Sequence, residues 1–584
     1  MTAPFPVGRL SASLRSALLL STLLGLGLAM PAKAADSSVR DYHIQAGDLG
    51  TALTRFAAES GVGLSFDPAL TRGLATAGLD GSFASDQGLQ RLLLNSGLQA
   101  VREGDGRYSL QPIAQDGAAL ELGATEVISN QLGTVSEGTG SYTPGSIATA
   151  TRLVLTPRQT PQSITVVTRQ HMDDFGLNSV DDVMRHTPGI TVSAFDSERS
   201  NYYARGFSIN NFQYDGIPST ARNVGYSAGN TLSDMAIYDR VEVLKGATGL
   251  LTGAGSLGAT INLVRKKPTA DFQGHATLGA GSWDNYRSEL DVSGPLNDSG
   301  NVRGRAVAAY QDKHSFMDRY SRKTPVYYGI LEFDLSPDTL LTVGGDYQDS
   351  LPKASSWSGS FPLLNAQGQH NNISRSFNNA ADWSSWEQYT RTVFAMLEHN
   401  FDNGWVSKLQ VDHKINGYHA VMGTIQGTTP NADGTSAIVP GKFTGETVSD
   451  SADLYASGPF SLFGREHELV VGGSIAHSNW DGKGYWNYTL REPNVVDFNN
   501  WHGNIAEPDW GRPSQRTDDT VRQTGAYFTT RLNITDDLKV LLGGRVVNYT
   551  ITGLNPTYRE SGRFVPYVGA IYDLNDTYSV YASY

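Results

Sequence analysis

From residue 269 to the end of the chain, apolar and polar residues alternate with a period of two. Leu341, Val343, Gly345 and Tyr347 interleave with Thr342, Gly344, Asp346 and Gln348. Successive side chains of a strand point to opposite faces, so this pattern builds one apolar face and one polar face. Trp405, Leu409 and Val411 against Lys408, Gln410 and Asp412 repeat it, as do Leu538 to Tyr549 and Phe564 to Tyr572. Roughly a dozen such segments are readable. Tight turns at Asn297-Asp298-Ser299-Gly300, Ser336-Pro337-Asp338, Asp402-Asn403-Gly404 and Thr535-Asp536-Asp537 alternate with long connections over 350–385, 414–448 and 481–520. Short turns at one rim and long loops at the other predict a transmembrane antiparallel β-barrel. The last strand, Thr577 to Tyr584, runs to the end of the chain, and an open edge in lipid would leave backbone groups unpaired. Residues 269–584 are therefore expected to be the N-terminal part of a barrel whose C-terminal strands are missing here.

Upstream the periodicity is mixed. Over 151–268, strands are predicted at Ser163 to Thr168, Ile190 to Ala194, Arg240 to Leu244 and Ala259 to Val264. A helix over Val180, Val183 and Met184 is expected to stop at Thr187-Pro188-Gly189. Over 35–112, Asp41 to Ile44 reads as a strand, and Leu49, Leu53, Phe56 and Ala57 form a helical stripe capped by Asp48 and ended by Gly61. Val62 to Phe66 is strand-like, Leu89, Leu92 and Leu93 repeat the helical spacing, and Ala100 to Arg102 and Tyr108 to Leu110 look extended. This second stretch is a small α+β domain. Residues 113–150 have little apolar periodicity and much Gly, Ser and Thr, which reads as a mobile linker. Within it, Ala124, Thr125, Glu126, Val127, Ile128 and Ser129 form a β-prone island suited to adding a strand to a partner's sheet edge; a chance β-prone hexamer in an ordinary linker explains the pattern equally well.

Composition adds exclusions. The 584 residues exceed one ordinary domain, and 45 Lys plus Arg against 58 Asp plus Glu give a net charge of −13 without a dense basic block. Nucleic acid is therefore not an expected partner. With no cysteine, thiolate catalysis, zinc–thiolate sites and iron–sulfur clusters are excluded. Arg9 and Arg15, the apolar run Ala17 to Met30, and Ala32-Lys33-Ala34 make residues 1–34 a secretory signal peptide, its run being shorter than the ~20 residues of a membrane span. The abundance of Gly and Tyr, at 63 and 27, suits a barrel better than a helical membrane protein.

Two motifs invite enzymatic readings and lose them. Gly253-Ala254-Gly255-Ser256-Leu257-Gly258 satisfies G-x-G-x-x-G, but a strand rather than a helix follows, so no dinucleotide site is expected. His171, Asp173, Asp174 and His186 could ligate a metal, yet a helix with exposed charges explains them better. No set of nucleophile, base and orienting group emerges, and the chain is not read as an enzyme.

The run Thr160-Pro161-Gln162-Ser163-Ile164-Thr165-Val166-Val167-Thr168, with Asp181-Asp182-Val183-Met184, Thr187-Pro188-Gly189-Ile190, Tyr203-Ala204-Arg205-Gly206-Phe207 and Arg240-Val241-Glu242-Val243-Leu244-Lys245-Gly246, resembles the plug domain of TonB-dependent siderophore receptors. The segment Tyr42-His43-Ile44-Gln45-Ala46-Gly47 and the Leu-rich helices beside it resemble the short signalling domain of secretins and TonB-dependent transducers, and the island at 124–129 resembles a TonB box. Ser141 to Gly145, Tyr202 to Thr220, Ala221 to Tyr226 and Gly279 to Tyr286 are most like the ferripyoverdine receptors of pseudomonads.

The resemblance implies a mainly β protein: a transmembrane antiparallel β-barrel, incomplete here, an α+β plug over 151–268, and an N-terminal α+β signalling domain in the periplasm. It implies an outer-membrane protein that imports ferripyoverdine with TonB, ExbB and ExbD, and that signals through its N-terminal domain to an anti-sigma factor. Outer-membrane lipid and bacteriocins are further implied partners. No cofactor or resident metal is implied, since siderophore iron arrives already coordinated. Carried over by position, Arg199, Phe195, Val224 and Tyr226 would lie at the plug apex, with Trp357 and Trp386 on the barrel wall and Arg199 as the electrostatic partner of an anionic chelate. Phe195 stands where a tyrosine is familiar and Thr429 where a tryptophan is, which bears on the type of pyoverdine. A receptor for a different ferric siderophore is the alternative, with a passive porin or a secretin-like channel as the rival from another class.

Overall fold

The computed structural model describes residues 40–584 apart from 67, 72–73, 94–95, 97, 103–106, 113–131, 220–232, 247, 358–363, 372, 426–429, 492 and 554–556. The signal peptide, the island at 124–129, Val224, Tyr226 and Thr429 lie outside the described residues. The chain divides into two units, Met1–Gly123 and Ala124–Tyr584.

In the first unit, β1 (Arg40–Ile44) precedes α1 (Leu49–Ser60). The Asp48 carboxylate accepts the Thr51 N–H at 2.8 Å, satisfying one of the orphan donors of the first turn. Gly61, at φ 75°, ends the helix in the left-handed conformation that glycine adopts without strain. Strands β2 (Gly63–Ser65), β3 (Leu79–Phe83), β4 (Leu98–Arg102) and β5 (Arg107–Pro112) and helix α2 (Ser85–Leu92) follow, with a short helix Pro68–Thr71 and a two-residue pairing of Gly47–Asp48 with Ala75–Thr76 between them. β2 pairs with β5 in parallel, and β3 pairs with β1 antiparallel. The periodic residues Leu49, Leu53, Phe56, Leu89 and Leu92 form one buried cluster with Tyr42, as their spacing predicts.

The second unit is a globule against a large curved sheet. The globule holds β6 (Ser163–Val167), α3 (Arg169–Asp174), α4 (Val180–His186), β7 (Ile190–Ala194), β8 (Ser200–Ala204), β9 (Asn211–Tyr214), β10 (Tyr238–Lys245) and β11 (Ala259–Arg265). A five-stranded sheet runs Ile217–Pro218, β9, β11, β10, β6, while β7, β8 and the short strand Phe207–Ser208 form a separate three-stranded sheet. Ser179 caps α4 in a reciprocal box with Asp182.

The stretch 132–150, expected to be part of a mobile linker, is folded onto this globule. Leu132, Ile147, Ala148 and Ala150 are buried. The Ser136 N–H donates to Asp239 at 3.0 Å, Arg240 donates to the Leu132 carbonyl at 2.6 Å, and Ile147 exchanges hydrogen bonds with Leu155. Its small residues let the backbone lie close enough to be satisfied by the buried Asp239 and Arg240 side chains of the globule, and low apolar periodicity does not report that kind of ordering.

The sheet contains β12 (Gln273–Gly281), β13 (Asn285–Pro295), β14 (Val302–His314), β15 (Ser321–Ser336), β16 (Thr339–Lys353), β17 (Ser385–Asn400), β18 (Val406–Ile425), β19 (Thr435–Leu462), β20 (Arg465–Gly484), β21 (Gln515–Asn533), β22 (Leu538–Thr552), β23 (Tyr558–Asp573) and β24 (Ser579–Ser583). Each pairs antiparallel with the next, and Val495–Asp497 adds a short strand to β19. Burial is inverted relative to a water-soluble sheet: Lys408 and Gln410 are buried at 1% and 3% exposure, whereas Leu409 and Val411 are 39% and 41% exposed. The polar rows face the globule and the apolar rows face outward, the arrangement that lipid outside and a polar lumen inside require. β12 and β24 are not paired with each other among the described residues.

The four expected tight turns join strands as predicted. The long connection expected over 414–448 does not exist: β18 and β19, of 20 and 28 residues, run through it and leave only 426–434 between them. A membrane needs ~10 residues per tilted strand, so about half of β18 and nearly two thirds of β19 stand clear of the bilayer. Polar side chains broke the alternation there because both faces of a strand above the membrane meet water or loops.

Candidate functional site

The turn joining β7 to β8 carries Phe195 and Arg199 at the tip of the globule. The N–H of Phe195 donates to the Arg199 carbonyl at 2.8 Å, closing the turn. Beside it, Ser197 and Ser356 exchange N–H to hydroxyl bonds at 3.0 Å each, and Gln388 donates to the Glu198 carbonyl at 3.2 Å. The apex is thereby stapled to the wall. Burial pushes the Glu198 carboxyl above its usual range, and Arg322 at 3.8 Å counteracts this only in part.

The Arg199 guanidinium is fixed on three sides. It donates to Asp196 at 2.5 and 2.9 Å, lies 4.5 Å from the Phe195 ring centroid and 4.3 Å from that of Trp386 on β17. Phe195 is 49% exposed and Trp386 is fully buried, so the stack has one face toward the mouth and its base in the wall. Such a cation sandwiched by rings is held in place and puts a positive charge where an anionic ligand would meet it.

Trp386 opens a larger aromatic group that the sequence reading did not assemble. Tyr418 lies 5.5 Å from Trp386 and stacks on Trp480 at 5.9 Å. Phe443 contacts Trp357 at 5.6 Å and Trp486 at 5.3 Å, both edge to face. Trp357 packs against the buried cluster of Trp386, Tyr418, Phe443 and Trp480. The structure thus brings together Phe195, Arg199, Trp357 and Trp386 of the six expected binding residues; Val224 and Tyr226 are among those it does not describe. Tyr418 and Phe443 escaped because they fall in the stretch read as a loop. The available signal was glycine: rings sit over Gly441 and Gly445, where an added Cβ would lie 2.6 Å from Trp357 and 2.2 Å from Trp480.

The discounted motifs behave as a structural reading expects. Gly253 turns at φ 72° after the short helix Gly249–Thr252, and β11 follows Gly258 directly. His171 stacks on Tyr142 at 4.9 Å, and Asp173 pairs with Arg169 at 2.7 Å. His275, Glu289 and Asp291 come close enough to share an ion, but Asp291 is already bonded to Lys266 at 2.8 Å and Arg305 at 2.6 Å, which a cation would have to displace.

A globule packed against a large antiparallel sheet with polar rows inward and apolar rows outward, bearing an aromatic and cationic cluster at the loop rim, defines the fold of an outer-membrane β-barrel receptor. Three family descriptions match in that order: "Secretin and TonB N terminus short domain" over residues 64–113, "TonB-dependent Receptor Plug Domain" over 156–260, and "TonB dependent receptor-like, beta-barrel" over 352–584. The ferripyoverdine receptor of Pseudomonas aeruginosa is 67% identical over 544 residues, 93% of this chain and 67% of that receptor. The crystal structure of the ferripyoverdine receptor of the Pseudomonas aeruginosa outer membrane bound to ferripyoverdine aligns with TM-score 0.76 at 65% identity, covering 94% of this chain and 70% of that one. The FpvAI–pyocin S2 complex aligns with TM-score 0.77 at 66% identity, covering 94% and 71%.

The chain belongs to the TonB-dependent siderophore receptors of the outer membrane. It is a transport receptor, not an enzyme, and it works in TonB-dependent import of a ferric siderophore.

Proposed function

We propose that the cargo is a ferripyoverdine, bound as the intact chelate by Arg199, Phe195, Trp357 and Trp386, with Val224 and Tyr226 completing the plug side. The observation that carries this reading is the Arg199 guanidinium held between Phe195 and Trp386 at the rim of a tryptophan-rich wall. A planar chromophore suits the rings, and a negatively charged ferric complex suits the cation. The iron keeps its siderophore ligands throughout, so no metal-binding side chain of the receptor is required. High identity to a receptor known by that ligand supports the same choice.

For a scarce nutrient, nanomolar binding corresponds to about −12 kcal/mol. At ordinary association rates escape then takes on the order of minutes. The outer membrane holds no ATP, so release needs force from the inner membrane. In this reading TonB, with ExbB and ExbD, adds the strand Ala124, Thr125, Glu126, Val127, Ile128, Ser129 to its own sheet and pulls on the plug. The N-terminal unit, which matches the short domain of secretins and TonB receptors, carries occupancy to an anti-sigma factor in the periplasm. A relative was solved with pyocin S2, which supports a protein toxin as a second ligand of the outer loops.

The test is uptake of radiolabelled iron by iron-starved cells, presented as several ferripyoverdines and as unrelated ferric siderophores, with and without TonB. TonB-dependent uptake of one pyoverdine type is expected. Uptake confined to another siderophore class would overturn the ligand, and uptake independent of TonB would overturn the gating.

A further inference from the structure

The long connections at the open rim are tied into one body. The connections that carry residues 373–384 and 495–505 and the facing strand residues Ile425 of β18 and Ile438 of β19 share a core of Ala381, Ile425, Ile438, Phe498 and Trp501, with Phe377 and Trp383 packed on it. Beside it stands Arg319, in the short connection between β14 and β15. Its backbone sits at φ 68°, a left-handed conformation that residues with a Cβ rarely adopt unless their surroundings enforce it.

The enforcement comes from its guanidinium. It donates to the carbonyls of Ala380 and Asn378 and to the Asp382 carboxylate, each at 2.8 Å. It lies 5.9 Å from the Trp501 ring centroid. Gly503 approaches so closely that a Cβ there would stand 1.7 Å from an Arg319 nitrogen, and its carbonyl accepts the Asp382 N–H at 2.9 Å. One cation thus joins its own short connection to residues 378–382 and to the stretch around Trp501 and Gly503.

The same knot reaches the binding wall. The Asn378 side-chain amide donates to the carbonyls of Asp318 and Ala354, both at 2.9 Å. Ala354 opens the run Ser355-Ser356-Trp357, in which Ser356 holds the plug apex and Trp357 lines the wall. At the other end of the connection the Ser384 hydroxyl and Gly423 exchange hydrogen bonds at 2.8 and 2.9 Å, two residues before Trp386. Arg319 itself touches neither tryptophan.

We propose that Arg319 is a positioning residue for siderophore recognition, which acts through Asn378 and Asp382 to hold Trp357 and Trp386 in a wall formed before the ligand arrives. The inference rests on the import reading above. A planar fork satisfies two carbonyls and a carboxylate together, which the single ammonium of lysine does not reproduce. A preformed wall spares the ligand the cost of ordering those side chains.

The experiment compares wild type, Arg319→Ala, Arg319→Lys and Gly503→Ala receptors in outer-membrane preparations, titrated with the ferric siderophore that the wild type imports and followed by tryptophan fluorescence. Site number and Kd are read separately. All three variants are expected to raise Kd about tenfold, through faster dissociation, with the number of sites unchanged. Uptake at saturating ligand should stay near wild type. An unchanged Kd in Arg319→Ala overturns the proposal, as does a loss of sites at constant Kd, which marks a residue needed only for folding. Should Arg319→Ala fail to reach the membrane, the two milder variants decide by the same ratio. A wild type that imports a siderophore other than pyoverdine corrects the cargo, and only the variant-to-wild-type ratio bears on Arg319.

Discussion

The Arg199 guanidinium carbon lies 4.3 Å from the ring centroid of Trp386, so a residue of the plug and a residue of the wall form one contact at the mouth of the receptor. Asp196 holds the same guanidinium at 2.5 Å, and the three groups fix one another. A plug that moves relative to the wall has to break this contact together with the Ser197–Ser356 and Gln388–Glu198 bonds beside it.

Removing the Arg199 side chain should act on binding first. Arg199→Ala is expected to cost about 2 kcal/mol of ferric siderophore affinity, roughly thirtyfold in Kd. Arg199→Lys should recover only part of it, since an ammonium keeps charge without the planar face and fork. Titration of membranes with the ferric siderophore checks both, and an unchanged Kd in Arg199→Ala would remove Arg199 from the site.

The glycine under Trp357 offers a test that leaves every aromatic in place. At Gly441 a Cβ would lie 2.6 Å from Trp357 and 2.8 Å from Phe443, and neither rigid ring can yield as a flexible chain end would. Gly441→Ala should shift Trp357 and raise Kd about fivefold, a change of roughly 1 kcal/mol. Gly300, whose site is open space, gives the control in Gly300→Asn, with no change in Kd expected.

How far these features were legible follows from what each depends on. Strands that cross lipid showed in the sequence because the solvent outside them is apolar and the alternation is forced, as at Lys408 to Val411. The cap at Asp48 was legible from its place just before the helical stripe, whereas the Ser179–Asp182 box was not read from the sequence. Tyr418 and Phe443 were illegible because β18 and β19 leave the membrane, and a strand with water or loops on both faces carries no alternation. The ordering of 132–150 was illegible for another reason: it depends on buried partners such as Asp239 and Arg240, about a hundred residues away. Arg199, Trp357 and Trp386 were reached through family likeness, since nothing local to Trp386 distinguishes it from a tryptophan at the membrane interface.

The N-terminal unit permits a pH test of its cap. The hydrogen bond from the Thr51 backbone N–H, with a second from its hydroxyl, holds the Asp48 carboxyl below its ordinary value. A folded-state pKa below the unfolded one means that folding favours the ionised form. Its contribution is thus present above the unfolded value of about 3.9 and disappears as pH falls through the folded one. Asp48→Ala should lower the thermal midpoint of this unit at neutral pH, and the gap to wild type should close progressively below about pH 4. A gap that stays constant down to low pH would show that Asp48 acts without its charge.

The island at 124–129 separates two ways of gripping a tether. If TonB pairs with it as a strand, recognition runs through backbone N–H and carbonyl groups and tolerates changes of side chain. Val127→Pro deletes one donor and fixes φ, so it should reduce uptake to the level of cells lacking TonB while ferric siderophore binding stays at wild-type strength. Glu126→Ala keeps the backbone intact and should lower uptake no more than about twofold. Radiolabelled-iron uptake alongside equilibrium binding measures both variants in the same cells. A proline variant that transports normally would move the TonB contact elsewhere in 113–131, and an alanine variant as defective as the proline one would mean that TonB reads side chains rather than a strand edge.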